Sequence, residues 1–271
     1  MNIFQALVLG IVQGLTEFLP VSSSAHLVIT QNLFGFTRAE QPLLLVFDVV
    51  VHLGTLLSLF FYFGAEFFKL RKQEVQKSKN LAQLFSLHMF WLVILATIPT
   101  GVIGLLLMKW MEENFNSLMV TVLTLLINSV ILWSTRWIGS GEKKESAHWL
   151  DAIWIGIAQG ISILPGISRS GATCTTALWL KIKAEEAARF SFLIAIPAIL
   201  AAAVFVLPES AEAFSPEMWP MLITGFIAAF ISGYIAILLL FRVMLRGKFH
   251  LFAIYTFALA ILTFLFSLKG I

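Results

Sequence analysis

Six apolar stretches dominate the chain, at roughly 45–68, 85–108, 117–138, 187–207, 219–241 and 250–268. Each approaches the ~20 residues that an α-helix needs to cross the hydrocarbon layer of a bilayer. Two further apolar stretches, 2–35 and 149–182, are interrupted. The first is broken by Leu19-Pro20-Val21-Ser22-Ser23-Ser24 and the second by Leu164-Pro165-Gly166-Ile167-Ser168-Arg169-Ser170-Gly171. Proline removes a backbone donor and ends a helix, so each piece is too short to span. Irregular backbone at membrane depth is stable only under cover of protein or water. The pattern predicts two re-entrant helix–turn–helix hairpins among six spans.

The basic residues test that arrangement. Segments 69–80, 136–149, 181–189 and 242–248 hold most of the 18 Lys and Arg residues. All four fall on one face only if 2–35 and 149–182 turn back on themselves. Arg38, Lys109, Lys269 and the acidic loop 208–217 then fall on the other face. Basic loops mark the cytoplasmic face. Both termini are therefore expected outside, with the first hairpin entering from outside and the second from the cytoplasm.

Composition agrees. Of 271 residues, 59% are hydrophobic and 12% charged, and the mean hydropathy is +0.92. A soluble domain carries about 25% charged residues. A single cysteine, Cys174, excludes an intrachain disulfide and reads as a small core residue. The start Met1-Asn2-Ile3-Phe4-Gln5 lacks the basic region of a signal peptide. No nucleic-acid-binding pattern is present.

The two interrupted stretches resemble each other. Gly10-Ile11-Val12-Gln13-Gly14-Leu15 matches Gly156-Ile157-Ala158-Gln159-Gly160-Ile161, and both runs lead through a Leu-Pro pair into a hydroxyl-rich loop. Each is followed by three spans, and an odd number inverts the second copy. The expected fold is thus all-α and polytopic: one membrane domain over 1–271, built from inverted repeats at 1–140 and 147–271. Broken helices meeting near the midplane are the plan of many transporters.

The breaks carry the chemistry. Gln13 and Glu17 are four apart and share a helix face. Glu17 ends its half-helix at apolar depth, where a carboxylate needs a proton or a cation; a divalent ion held by oxygens and phosphate would serve. Ser22 suits the N-cap of the next half-helix. Ser23 and His26, three apart, suit a hydroxyl nucleophile with an imidazole base, or an imidazole that itself attacks phosphorus. Ser22 and Ser24 read more simply as groups that satisfy the broken backbone. In the second break, Arg169 offers a permanent charge whose fork matches phosphate oxygens. Gly166 and Gly171 allow close backbone approach. A helix beginning near Ser170 would aim N–H groups at an anion, and Ser168, Ser170 and Thr173 add donors. The plainer alternatives are a protonated Glu17, or a structural ion bridge between Glu17 and Arg169. Asp48 and His52, four apart on the first span, read either as supports to the site or as packing groups.

The run Gln13 to His26, the run Pro165 to Thr173 and the block Phe47-Asp48-Val49-Val50-Val51-His52-Leu53-Gly54 resemble the signatures of the bacterial undecaprenyl-diphosphate phosphatases, the bacitracin-resistance family. The resemblance covers nearly the whole chain. It implies a multi-pass hydrolase of the bacterial cytoplasmic (inner) membrane, with its site toward the outer face. That enzyme converts undecaprenyl diphosphate to undecaprenyl phosphate and recycles the carrier lipid for peptidoglycan. It implies a divalent cation, Mg²⁺ or Ca²⁺, served by Glu17 with help from Gln13. It implies Ser23 and His26 as nucleophile and base. Arg169, with Ser168, Ser170, Gly171, Thr173 and Gly166, would hold the diphosphate. The family commonly carries Glu where this chain has Gln13, which leaves Glu17 as the one carboxylate there. The partners implied are the lipid substrate and the bilayer, with a homodimer allowed. A transporter or flippase of an anionic lipid is the competing reading.

Overall fold

The computed structural model describes residues 1–36, 40–72, 87–139, 141–209 and 216–268. Among them it forms ten α-helices and no strand. These are α1 (Ile3–Phe18), α2 (Ser23–Leu33), α3 (Gln41–Lys72), α4 (Leu87–Asn114), α5 (Leu118–Ser134), α6 (Trp149–Ile161), α7 (Arg169–Trp179), α8 (Ala184–Glu209), α9 (Trp219–Leu245) and α10 (Phe252–Ser267). Six carry segments long and apolar enough to cross a membrane: Pro42–Ala65, Leu87–Met111, Leu118–Trp137, Ala184–Phe205, Pro216–Leu245 and Phe249–Ser267. They coincide with the six expected stretches to within a few residues. The protein is an all-α polytopic membrane protein.

The other four helices are short and pair as the two interrupted stretches require. α1 has 16 residues and α2 has 11; α6 has 13 and α7 has 11. Neither member of a pair reaches the length of a span. Ser22 caps α2 by accepting a hydrogen bond from the Ala25 N–H at 3.3 Å, with its own φ at +70°. Ser168 caps α7 by accepting from the Gly171 N–H at 3.1 Å. The second half-helix therefore begins at Arg169, one residue before the expected Ser170, because the Ser168 hydroxyl supplies the cap.

Small residues decide how the hairpins dock. On α1, a side chain at Gly10 would strike Gly225 and Ala228 of α9, and one at Gly14 would strike Ser232 and Ala229. On α6, a side chain at Gly156 would strike Ala96 of α4, and one at Gly160 would strike Ile103. Such close backbone approach is how helices associate in lipid, where apolar burial offers no net drive. Thr100 of α4 seals the second crossing by donating to the Gly156 carbonyl at 2.9 Å. α3 packs on α8 and α9, and α5 packs on α10. Between these layers, Phe18, Phe192 and Phe241 form an edge-on aromatic stack with centroids 5.3 and 5.7 Å apart. The outside is apolar, as a lipid-facing surface requires: Leu105, Leu106, Val130 and Val204 are each at least two-thirds exposed.

The basic segments gather as the hairpin reading demands. The Lys144 N–H donates to the Lys181 carbonyl at 2.8 Å, and the Lys183 N–H donates to the Lys144 carbonyl at 3.1 Å. His250, just beyond segment 242–248, lies with its ring 6.1 Å from that of Trp133, just before segment 136–149. Three of the four basic segments thus share one end of the molecule. Most of 69–80, together with Arg38, Lys269 and 210–215, lies outside the described residues.

Gly14→Ala is expected to lower the thermal stability of the detergent-solubilised protein by about 1–3 kcal/mol, the cost of overpacking a tight contact. Gly64→Ala, where an added methyl meets nothing within 4 Å, should leave stability within about 0.5 kcal/mol of wild type. Equal melting temperatures for the two variants would contradict the α1–α9 crossing.

Candidate active site

The site forms where the two hairpin tips meet. α1 ends at Phe18 because Pro20 cannot continue it, and this leaves Glu17 in its last turn. Gly166, at φ +101°, turns the second tip so tightly that a Cβ there would strike Thr124 of α5. That turn delivers Arg169 as the first residue of α7. The tips touch directly: the Gly166 N–H donates to Ser24 Oγ at 3.4 Å, and Ser168 Oγ donates to the Leu19 carbonyl at 3.4 Å. α5 clasps both. Asn128 donates through Nδ2 to the Pro20 carbonyl at 3.2 Å and accepts at Oδ1 from the Ser168 N–H at 3.0 Å. Thr124 Oγ1 donates to the Pro165 carbonyl.

Glu17 is the hub. Its Oε1 accepts from Arg169 Nη2 at 2.7 Å. Its Oε2 accepts from Ser23 Oγ at 2.7 Å and from Gln13 Nε2 at 2.9 Å. His52 Nε2 stands 3.6 Å from the same Oε2. Arg169 also donates through Nη1 to the Ser191 carbonyl of α8 at 3.3 Å. Buried charges are stable only when paired in this way, and removing one partner of such a pair costs about 3–5 kcal/mol.

His26 takes a different direction from the one its spacing suggests. Its Nδ1 lies 2.7 Å from the Ser22 carbonyl, which can only accept, so Nδ1 carries the hydrogen. Its Nε2 lies 2.8 Å from Tyr255 Oη of α10, with the two rings parallel at 5.7 Å. Ser23 Oγ is therefore bonded to the Glu17 carboxylate, and His26 is bonded to Tyr255.

The remaining predicted residues divide into two groups. Ser168, Ser170 and Thr173 are buried and form a framework behind Arg169. Ser168 and Ser170 hydroxyls lie 3.2 Å apart, and Thr173 Oγ1 lies 2.6 Å from Ser191 Oγ. Gly171 gives room for the Ser168 side chain, 3.0 Å from where its Cβ would stand. Asp48 lies outside the direct contacts of Glu17 and accepts from Gln31 Nε2 at 3.1 and 3.2 Å. Cys174 is buried in the core, as expected. Asn128, Thr124, Ser191 and Tyr255 were not signalled by the motifs. Asn128 alone had a local sign, an amide within an apolar span.

Among the described residues, no three His, Cys, Asp or Glu side chains gather as a ready-made metal cage. One orphaned atom bears on a cation: Gln13 Oε1 is buried without a hydrogen-bond partner. Its Nε2 already touches Glu17, so this bare oxygen belongs to the same cluster. A carboxylate beside an unpartnered amide oxygen fits a hard divalent ion completed by water and phosphate oxygens.

The family described as bacitracin resistance protein BacA matches residues 6–262. A relative named undecaprenyl-diphosphatase from Alkaliphilus metalliredigens is 38% identical over 99% of this chain and 100% of its own length. Another of that name from Carboxydothermus hydrogenoformans is 40% identical over 100% and 99%. A third from Korarchaeum cryptofilum is 39% identical over 94% and 95%. With the match running nearly end to end, this chain belongs to the bacitracin resistance protein BacA family.

Proposed function

We propose that the protein is a membrane hydrolase that removes the terminal phosphate of undecaprenyl diphosphate, yielding undecaprenyl phosphate and inorganic phosphate. The observation that carries this reading is the cluster at Glu17: a hydroxyl, a carboxylate and a guanidinium within direct hydrogen-bond reach. The full-length likeness to relatives named for this reaction supports the substrate. No feature of the site favours transport without chemistry.

In this mechanism Arg169 leaves its pairing with Glu17 Oε1 to take two oxygens of the entering diphosphate, which its planar fork suits. Ser23 Oγ attacks the terminal phosphorus, and its proton passes to Glu17 Oε2, already 2.7 Å away. The bond between the bridging oxygen and the terminal phosphorus breaks, and the lipid monophosphate departs with the bond's electrons. Water then attacks the phosphoserine, the bond from Ser23 Oγ to phosphorus breaks, Oγ takes its proton back from Glu17, and inorganic phosphate leaves with the water's oxygen. His26, held on one edge by the Ser22 carbonyl, accepts at Nε2 from the Tyr255 hydroxyl; taking up a proton there would make it a donor to phosphate oxygens. A divalent cation at Glu17 and Gln13 would supply charge neutralisation for the diphosphate.

The reading extends to orientation. The shared basic end would face the cytoplasm by the positive-inside rule, which supports α1 and α2 entering from the outer face of the cytoplasmic membrane. The exchange of crossings between halves, α1 on α9 and α6 on α4, supports inverted repeats at 1–140 and 147–271.

Purified protein is expected to release inorganic phosphate from a polyprenyl diphosphate. Arg169→Lys keeps charge but loses the fork, and should cost about 10²–10³-fold in kcat. Activity equal to wild type would remove Arg169 from phosphate binding. Ser23→Ala should abolish both turnover and a phosphoenzyme trapped from labelled substrate by a neutral detergent quench, which preserves phosphoserine and phosphohistidine alike. A labelled enzyme surviving in Ser23→Ala but lost in His26→Ala would move the attack to the imidazole. Tyr255→Phe removes one hydroxyl while keeping the stacked ring. It should lower kcat several-fold with thermal stability retained; an unchanged kcat would free His26 from this support.

A further inference from the structure

The two site histidines share one device and differ in what it presents. His52 Nδ1 lies 2.6 Å from the Asp48 carbonyl, so it too carries its hydrogen on Nδ1. In the neutral ring Nε2 is then a lone pair. His26 Nε2 meets a hydroxyl, but His52 Nε2 meets Glu17 Oε2 across 3.6 Å. That is beyond hydrogen-bond range but within ion-pair range, and with Nε2 a lone pair both atoms would be electron-rich. A positive species between them reconciles the contact. The bare, buried Gln13 Oε1 belongs to the same cluster by its own amide group.

We propose that His52 Nε2 is a direct ligand of the divalent cation, together with Glu17 Oε2 and Gln13 Oε1. The proposal rests on the cation reading given above and adds a nitrogen to it. Two donors bound to one ion at about 2.1–2.3 Å stand roughly 3–3.7 Å apart, so the observed gap fits without backbone movement. Gln13 reaches the ion by turning its amide, exchanging Nε2 for Oε1. The Nδ1–H bond to a carbonyl is the support that ligating histidines generally have, since it fixes the tautomer and the ring plane. Glu17 then holds Arg169 through Oε1, while the two lone pairs of Oε2 serve the ion and the Ser23 hydroxyl, Gln13 Nε2 having turned away. The nitrogen also sets selectivity. Ca²⁺ prefers an all-oxygen shell, and imidazole favours transition-row ions. The site therefore prefers Mn²⁺ to Ca²⁺ because of His52.

The test is Mn²⁺ binding to the full-length detergent-solubilised protein without substrate. Bound ion is counted by electron paramagnetic resonance, and its nitrogen neighbours are read by electron spin-echo modulation. Wild type should bind one ion showing a single imidazole ¹⁴N coupling. The coupling should vanish in His52→Gln and persist in His26→Gln. His52→Gln should also weaken Mn²⁺ about 10–100-fold while changing Ca²⁺ competition little, with melting temperature confirming the fold. Bound Mn²⁺ with no ¹⁴N coupling in wild type would overturn the His52 assignment and leave the cation at Glu17. Coupling that survives in His52→Gln would overturn it as well. No Mn²⁺ binding alongside metal-free phosphate release would overturn both this inference and the cation reading beneath it.

Discussion

The ion pair between Glu17 and Arg169 is the constraint on which the site depends. Each residue sits at the end of a half-helix that is too short to cross a membrane, and each would be costly at that depth alone. Their 2.7 Å contact joins the two interrupted segments, 152 residues apart in sequence. The rest of the architecture keeps that contact in place. Glycines on α1 and α6 let the hairpins press against α9 and α4. Asn128 and Thr124 tie both tips to α5.

The same pair explains how a stable arrangement can be reactive. Glu17 and Arg169 hold each other in the free protein, so neither is an uncompensated charge. On the proposed mechanism an arriving diphosphate would compete for the guanidinium with more negative charge and a better-matched set of oxygens. Its binding would release Oε1, while Oε2 would keep the Ser23 hydroxyl. The ion bridge is what the structure shows; the proposed mechanism uses the same pair in a second state of occupancy.

Much of this was legible in the order of residues, for physical reasons. Spans are set by length and apolarity, and the breaks by proline, so six helices and two hairpins could be placed before any coordinates. Gln13 and Glu17 could be paired from helical spacing. Ser22 could be named a cap because a hydroxyl after Pro20-Val21 satisfies a freed N–H. Spacing failed where direction mattered. Ser23 and His26 are three apart, yet their side chains diverge, the one toward Glu17 on the preceding helix and the other toward Tyr255 on the last. Partners that arrive from distant helices, such as Ser191 to Arg169 and Tyr255 to His26, leave no local pattern. Ser168, Ser170 and Thr173 were read as donors to the ligand; most of their hydroxyls are instead committed to the caps and cross-links that aim Arg169.

Through Glu17 and Arg169 the two tips should be energetically one unit. A double-mutant cycle on thermal stability, with Glu17→Gln, Arg169→Gln and the pair, measures this without substrate or metal. Contacting buried charges should give a coupling energy of about 1–3 kcal/mol, the double variant being more stable than the sum of the singles predicts. Strict additivity of the two substitutions would mean the tips do not hold each other, and the site as described would not exist.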